Sequence, residues 1–192
     1  VVSRDQAGNT TVDDNNGNLY VFQTLEAPRP PWFTDLESGT NGWMVVPDPG
    51  GTEINWTFGT PNNRLVTSAR SGTNAWGSDL NGSQNFSIGS SYLYSPVIDL
   101  SGLTSATLNF WHACDFTTDP SLGVPPEDGL IYVSTNSSTP PGNLPMVWDY
   151  QETQTSGWEP ADPVALTPFV GKTIQVVFYS EGVVFARPAS GW

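Results

Sequence analysis

The sequence predicts an all-β protein, a sandwich or a barrel, and three observations support that prediction. First, no apolar repeat of 3.6 residues persists for three helical turns, so almost no helix is expected. Second, short runs rich in β-branched and aromatic residues recur along the 192 residues. Third, turns rich in Gly, Pro, Asn and Ser separate these runs, which is typical of sandwiches and barrels.

The strands are expected where the apolar runs lie, and residues that interrupt a sheet ladder mark their ends. Asn-Gly pairs at 16–17, 41–42 and 81–82 tolerate positive φ and favour tight turns. Pro47 and Pro96 cannot donate a ladder hydrogen bond, so they mark strand ends or edges. The predicted strands are Leu19–Thr24, Trp43–Val46, Ile54–Phe58, Tyr92–Ile98, Thr107–Ala113, Gly129–Ser134, Met146–Glu152, Thr173–Ser180 and Val183–Ala186.

Acidic residues dominate the charge of the chain. Nineteen Asp and Glu against six Lys and Arg give a formal net charge of −13. Nucleic acid is excluded as a partner because phosphate binding needs clustered basic residues, and an anionic membrane surface is disfavoured for the same reason. No apolar run approaches the roughly 20 residues that a spanning helix needs, so no membrane insertion is expected. The composition fits a secreted or cell-surface protein and suits divalent cations.

Cys114 is the single cysteine, so no disulfide can form within the chain. Secreted eukaryotic domains of this size usually carry paired cysteines, and their absence points to a bacterial exported protein. Cys114 lies in an apolar run, where we expect a small buried thiol rather than a nucleophile.

A Pro-rich stretch divides the sequence. Residues 28–31 form an expected linker, because such stretches act as semi-rigid extended spacers. Residues 1–27 are too short to fold alone and resemble the tail strands of an immunoglobulin-like or fibronectin-type-III-like module, or an N-terminal extension. Residues 32–192 form the expected main domain.

From Trp32 onward an ordered series of motifs resembles the MAM-like and cleaved-adhesin (choice-of-anchor J) jelly rolls of secreted bacterial proteins. The series begins with Phe33-Thr-Asp-Leu-Glu37-Ser-Gly39 and covers nearly all of residues 32–192. Its further pieces are Gly42–Trp43, Trp56–Pro61, Ser71–Gly77, Tyr92–Gly102, Leu108–His112, Asp128–Ser134, Gly171–Phe178 and Gly191–Trp192.

The resemblance implies a two-sheet antiparallel jelly-roll sandwich. Such modules stand beside secreted proteases, glycoside hydrolases and adhesins, often hold calcium and are rarely catalytic. In the family the final Gly-Trp opens a last strand with an acidic residue, whereas this sequence stops at Trp192. We expect a fragment of a longer protein, and two explanations stay open: the final strand has been lost, or this segment is a cleavage product.

Five acidic residues are the candidate ligands of a structural Ca²⁺, which takes six to eight oxygen ligands. Asp35 and Glu37 are two residues apart, so a regular strand points both to one face. Asp79 lies in a turn-rich loop. The resemblance implies an ion held by Glu37, with Asp115 and Asp128 as further candidates. The alternative is that all five are ordinary solvated loop acids.

Catalysis by this chain is not expected. His112 is the only histidine, and no G-x-S-x-G nucleophile motif accompanies it. Its alternation with Leu108, Phe110 and Cys114 predicts a packed core histidine. The alternative of a secreted hydrolase needs paired carboxylates in a cleft, and only Asp35 and Glu37 have close spacing.

Eight tryptophans and six tyrosines are many for this length. Trp56, Trp76 and Trp111 match family positions, and we expect them in the core. Trp148, Tyr150 and Trp158 lie in or beside a polar stretch, so they are the candidate ligand-binding residues for a sugar stacked on exposed rings. The alternative is that these aromatics also fill the core.

These inferences converge on a non-catalytic, calcium-stabilised accessory or adhesion module of a larger secreted or cell-surface protein. Its expected partners are the neighbouring domains of that protein, with polysaccharide or host glycan as a further candidate. A carbohydrate-binding module and the catalytic domain of a secreted hydrolase are the alternatives.

Overall fold

A computed structural model describes residues 2–4, 10–12, 27–47, 56–78, 80–81, 90–116, 129–136, 138–150, 154–181 and 192. Within these ranges the only helical structure is two 3₁₀ turns, Pro141–Asn143 and Thr167–Phe169. The prediction of an all-β sandwich with almost no helix is confirmed. The strands are β1 (Val2–Arg4), β2 (Thr10–Val12), β3 (Met44–Pro47), β4 (Thr57–Gly59), β5 (Ala75–Gly77), β6 (Ser90–Tyr94), β7 (Ile98–Asp99), β8 (Thr107–Leu108), β9 (Trp111–His112), β10 (Gly129–Ser134), β11 (Met146–Tyr150), β12 (Glu159–Pro160), β13 (Val164–Ala165) and β14 (Thr173–Glu181).

The larger layer is an antiparallel sheet in the order β11-β10-β14-β6-β3, with β7 pairing the start of β14. Strand β14 pairs with β7 at its start and with β6 further along. Strands β6 and β7 are separate because the ladder is interrupted at Ser95–Pro96. Pro96 has no N–H to donate. The Ser95 hydroxyl instead accepts the Val176 N–H at 2.9 Å, while the Ser95 N–H donates to the Val176 carbonyl at 2.8 Å.

The second layer is built from short antiparallel pairs. Strands β8 and β9 pair with β13 and β12, and the Ala161 N–H donates to the Phe110 carbonyl at 3.0 Å between the two pairs. Strands β4 and β5 form a separate ribbon. The short strands are interrupted by Pro160 and Pro163, which explains why the sequence pattern did not predict β12 and β13.

The core lies between these layers and takes side chains from both. Ile131, Val133 and Val176 come from the larger sheet, while Cys114 and Val164 come from the second layer. Each residue has at most 2% of its surface exposed. Full burial of an aliphatic side chain of this size contributes about 1.5–3 kcal/mol, so this core is the main stabilising element of the sandwich.

The outer face of the larger sheet carries a smaller apolar cluster. Tyr92, Leu144 and Val177 are its buried members, and Tyr132 and Tyr179 pack beside them. The Tyr92 and Tyr179 rings lie 4.7 Å apart on neighbouring strands. Met44 and Met146, both more than half exposed, belong to β3 and β11 at the two edges of this sheet.

Most predicted strands of the described ranges are present with shifted ends. The segment Gly129–Ser134 is a strand with the predicted bounds, and 92–98 and 107–113 are each divided in two. The predicted turn at Asn41–Gly42 is confirmed, with φ of 47° and 83°. The predicted strands Leu19–Thr24 and Val183–Ala186 lie outside the described residues.

The Pro-rich segment 28–31 lies against the sandwich. The Pro28 carbonyl accepts the Asp99 N–H at 2.9 Å, and Arg29 pairs with the Asp99 carboxylate at 2.8 Å. Strands β1 and β2 form a separate two-stranded sheet. The division into an N-terminal segment, linker and main domain stays a prediction. In the described ranges no helix is long and apolar enough to cross a membrane.

Candidate functional site

Trp111 lies on the outer side of strand β9, and 45% of its surface is exposed. The prediction that Trp111 belongs to the core is wrong. His112 is buried and Phe110 packs against the core, so the alternation of a strand turns Trp111 outward. The guanidinium carbon of Arg70 lies 4.0 Å from the centre of its ring, which is cation–π geometry.

Two further aromatic residues accompany this pair. Phe33 is 82% exposed, the highest value among the exposed large hydrophobic residues. Trp158 is half-buried and donates its indole N–H to the Ser68 carbonyl at 2.8 Å, which fixes its ring. All four side chains border one groove. We call Phe33, Arg70, Trp111 and Trp158 the Trp111 face.

The groove continues from the Trp111 face inward between the two layers, with a volume of about 630 Å³. Seven of the eight tryptophans line it, and only Trp148 does not. Small polar side chains also border the groove: Ser71, Asn74, Thr107 and Asn109. We call this space the aromatic groove. Aromatic rings and hydrogen-bonding groups both contribute to its lining.

Two of the three candidate sugar-binding aromatics lie on the inner side of the larger sheet. Trp148 is paired with Ile131 and Tyr150 with Gly129, both buried positions of β10. Trp148 stacks on Trp192 at 5.7 Å and on Tyr150 at 5.4 Å. Trp148 and Tyr150 are half-buried and pack against the core, so they do not form an exposed platform. Their role in binding a ligand stays a prediction.

A bulge explains why Trp148 points inward. The register between β10 and β11 shifts between Ile131 and Tyr132, so Met146 faces out although it is two residues from Trp148. The polar residues that follow Tyr150 in the sequence gave no indication of this shift.

His112 is enclosed by aromatic rings. It is 5% exposed, and its ring stands edge-on to Tyr150 at 4.8 Å and an angle of 90°. Its Nδ1 has no hydrogen-bond partner in the described ranges. Burial lowers the pKa of His112, and the Glu159 carboxylate opposes this only partly. Burial therefore favours the neutral form of the ring.

Cys114 is completely buried. Burial raises the pKa of its thiol to about 12, so the reactive thiolate is absent at neutral pH. The Cys114 N–H donates to the Thr155 hydroxyl at 3.0 Å. The expectation of a small buried thiol is confirmed.

Asp35 and Glu37 lie on an exposed loop before β3. The Asp35 carboxylate accepts the Glu37 N–H at 3.0 Å. The Glu37 carboxylate accepts the N–H groups of Thr73 and Asn74 at 2.9 and 2.8 Å. These two backbone donors lower the pKa of Glu37, although Asp35 opposes the shift. Glu37 thereby joins its own loop to residues 72–74.

The other candidate calcium ligands are not brought to this loop. Asp115 is fully buried, and its carboxylate pairs with the Arg64 guanidinium. Asp79 and Asp128 lie outside the described residues. The described ranges contain no group of three or more His, Cys, Asp or Glu side chains arranged to hold a metal ion. The calcium ligand set stays a prediction.

No family model matches the sequence. No curated protein matches it either. Among solved structures, the chain is similar to the K1 cleaved adhesin domain of Lys-gingipain from Porphyromonas gingivalis W83. The sequences are 17% identical, the TM-score is 0.45, and the match covers 72% of this chain and 87% of that one.

Proposed function

We propose that this protein is a non-catalytic adhesion module of a larger extracellular protein, and that the Trp111 face is its binding surface. The observation that supports this is the exposure of Phe33 and Trp111 beside Arg70 on an otherwise acidic molecule. Trp and Arg are the residues enriched at the energetic centres of protein interfaces. An exposed apolar patch with a polar rim is typical of a binding site.

The groups able to do chemistry support a binding role rather than catalysis. Burial favours the neutral form of His112, which is enclosed by rings, and Cys114 is a buried protonated thiol. The Asp115 carboxylate is paired with Arg64. A general base or nucleophile must reach a substrate atom within about 3 Å. His112 borders the aromatic groove but is only 5% exposed among aromatic rings, and Cys114 and Asp115 are fully buried.

An adhesion assay tests this function. The purified protein is applied to immobilised extracellular-matrix proteins, mucin and insoluble polysaccharides, beside Trp111→Ala and Met146→Ala. Met146 is the matched control, because it is 54% exposed but belongs to the edge strand of the larger sheet. We expect adhesion to at least one surface and a loss of about tenfold or more in Trp111→Ala alone. Adhesion to none of them, or equal adhesion by both variants, contradicts the proposal.

We also propose that Ca²⁺ stabilises the module at the Asp35–Glu37 loop. Asp35 and Glu37 are two neighbouring carboxylates on an exposed loop, and carboxylate oxygens are ligands that Ca²⁺ prefers. Ions that bind only the native state add RT ln(1 + [L]/Kd) to its stability. At free calcium about a thousandfold above Kd the melting temperature should rise by roughly ten degrees.

Thermal unfolding in EGTA and in calcium tests this proposal. Wild type should gain stability in calcium, and Glu37→Gln should gain much less. Asp162→Asn is the matched control, because Asp162 is an exposed acid distant in sequence from this loop. An equal rise in melting temperature in wild type and both variants would mean that calcium binds elsewhere. No rise in any of them would mean that calcium does not stabilise the module.

A further inference from the structure

We infer that the aromatic groove binds a neutral oligosaccharide. This inference rests on the proposed adhesion function and names the ligand of its binding surface. Three properties of the groove support it: exposed aromatic side chains, a border of side chains that both donate and accept hydrogen bonds, and a charge distribution that disfavours anionic ligands.

The ring faces provide the first argument. A sugar ring has an apolar C–H face that packs on an aromatic side chain, while its hydroxyls remain at the edge. Phe33 and Trp111 expose 82% and 45% of their surfaces at the entrance of the groove. Trp158 is held by its hydrogen bond to Ser68, so its ring is already fixed before a ligand arrives. A fixed surface loses little entropy on binding.

The polar border provides the second argument. Sugar hydroxyls donate and accept, and Asn side chains do the same through one amide. Asn74 and Asn109 border the groove together with the hydroxyls of Ser71 and Thr107. A purely apolar ligand would make no hydrogen bonds to these groups. The groove volume of about 630 Å³ lies in the ordinary range for small-molecule sites.

Charge provides the third argument. The net charge of −13 repels a polyanion over long distances. Within the groove the charged side chains of the lining are Asp35 and Arg70, one of each sign. Arg70 lies over the Trp111 ring, where cation–π attraction holds its guanidinium. A neutral glycan meets no electrostatic barrier, whereas an acidic one does.

Affinity electrophoresis in gels containing one soluble polysaccharide each tests the inference. The neutral probes are xyloglucan, laminarin, galactomannan and arabinoxylan, and the anionic probes are polygalacturonate and heparin. We expect retardation by at least one neutral probe, unchanged at high salt, and none by the anionic ones. Trp111→Ala should weaken the retarding interaction about tenfold, Trp111→Phe should weaken it less, and Met146→Ala should leave it unchanged.

The outcomes separate this inference from the adhesion function. Retardation by polygalacturonate or heparin that disappears at high salt overturns the neutral ligand. If no probe retards the protein while Trp111-dependent adhesion to matrix proteins persists, the glycan is wrong and the adhesion function stands. If adhesion itself is absent, both fail. Equal melting temperatures of wild type and Trp111→Ala, expected for an exposed side chain, exclude misfolding as the cause of lost binding.

Discussion

Gly72 lies so close to Glu37 that a Cβ atom on it would come within 2.5 Å of the Glu37 carboxyl carbon. The φ of Gly72 is +62°, which a side chain rarely adopts. The substitution Gly72→Ala should therefore lower the free energy of unfolding for two reasons. Backbone strain costs about 1 kcal/mol. In addition, the Glu37 carboxylate must move away from the Thr73 and Asn74 N–H groups and lose both hydrogen bonds. Urea unfolding measures the total loss of unfolding free energy.

Gly171→Ala is the matched control for this substitution. Gly171 has φ of +81° and no atom within 4 Å of an added Cβ, so only the backbone cost applies. In a Glu37→Ala background the excess cost of Gly72→Ala over Gly171→Ala should vanish, as a double-mutant cycle shows. An excess that survives in that background would contradict a role for Glu37.

The Glu37 carboxylate should make stability depend on pH in the acid range. Two backbone N–H donors lower its pKa in the folded state from the usual value of 4.5. The charged form therefore stabilises the fold at pH values above 4.5, and this contribution disappears as pH falls through the folded-state pKa. The difference in unfolding free energy between wild type and Glu37→Gln should be constant near neutrality and shrink on acidification. A difference that is independent of pH would contradict this.

The inner and outer faces of single strands show what the sequence pattern could predict. Alternation placed Phe110, His112 and Cys114 on the inner face of one strand correctly, and the same alternation, applied consistently, would have placed Trp111 outside. The family motif instead suggested a core position for Trp111. The polar stretch beside Trp148 suggested exposure, but its orientation depends on the register shift beside Ile131, which is a feature of strand pairing and not of local composition.

The candidate site depended on pairings between distant residues, which spacing does not reveal. The family resemblance made Asp115 a candidate calcium ligand, yet its partner Arg64 is 51 residues earlier in the chain. Glu37 similarly meets Thr73 and Asn74 across 36 and 37 residues. The acidic composition predicted that carboxylates would matter, and only the fold determines which N–H group or cation each one meets.

The ion pair of Arg64 and Asp115 should contribute to the stability of the fold, because the Asp115 carboxylate is fully buried while 58% of the Arg64 side chain is exposed. Arg64→Met removes the cation from a buried carboxylate, which should cost about 3 kcal/mol of unfolding free energy. Adding Asp115→Asn should recover much of this loss, since no buried charge then remains unpaired. Chemical denaturation of the two single variants and the double variant measures the coupling. Additive losses would contradict a direct pair.

The only histidine of the chain gives a single NMR signal with which to follow the protonation of His112. Burial lowers its pKa below 6.5, so the folded state binds the proton less readily than the unfolded state. Its effect on stability is therefore absent at pH values well above 6.5, and the native state loses stability as pH falls below that value. The NMR midpoint should lie below 6.5. Glu159→Gln should lower the midpoint further, because the Glu159 carboxylate attracts the proton. A midpoint at or above 6.5 would mean that His112 is not enclosed by Tyr150 and its neighbours, and it would reopen the question of an acid–base role for this ring.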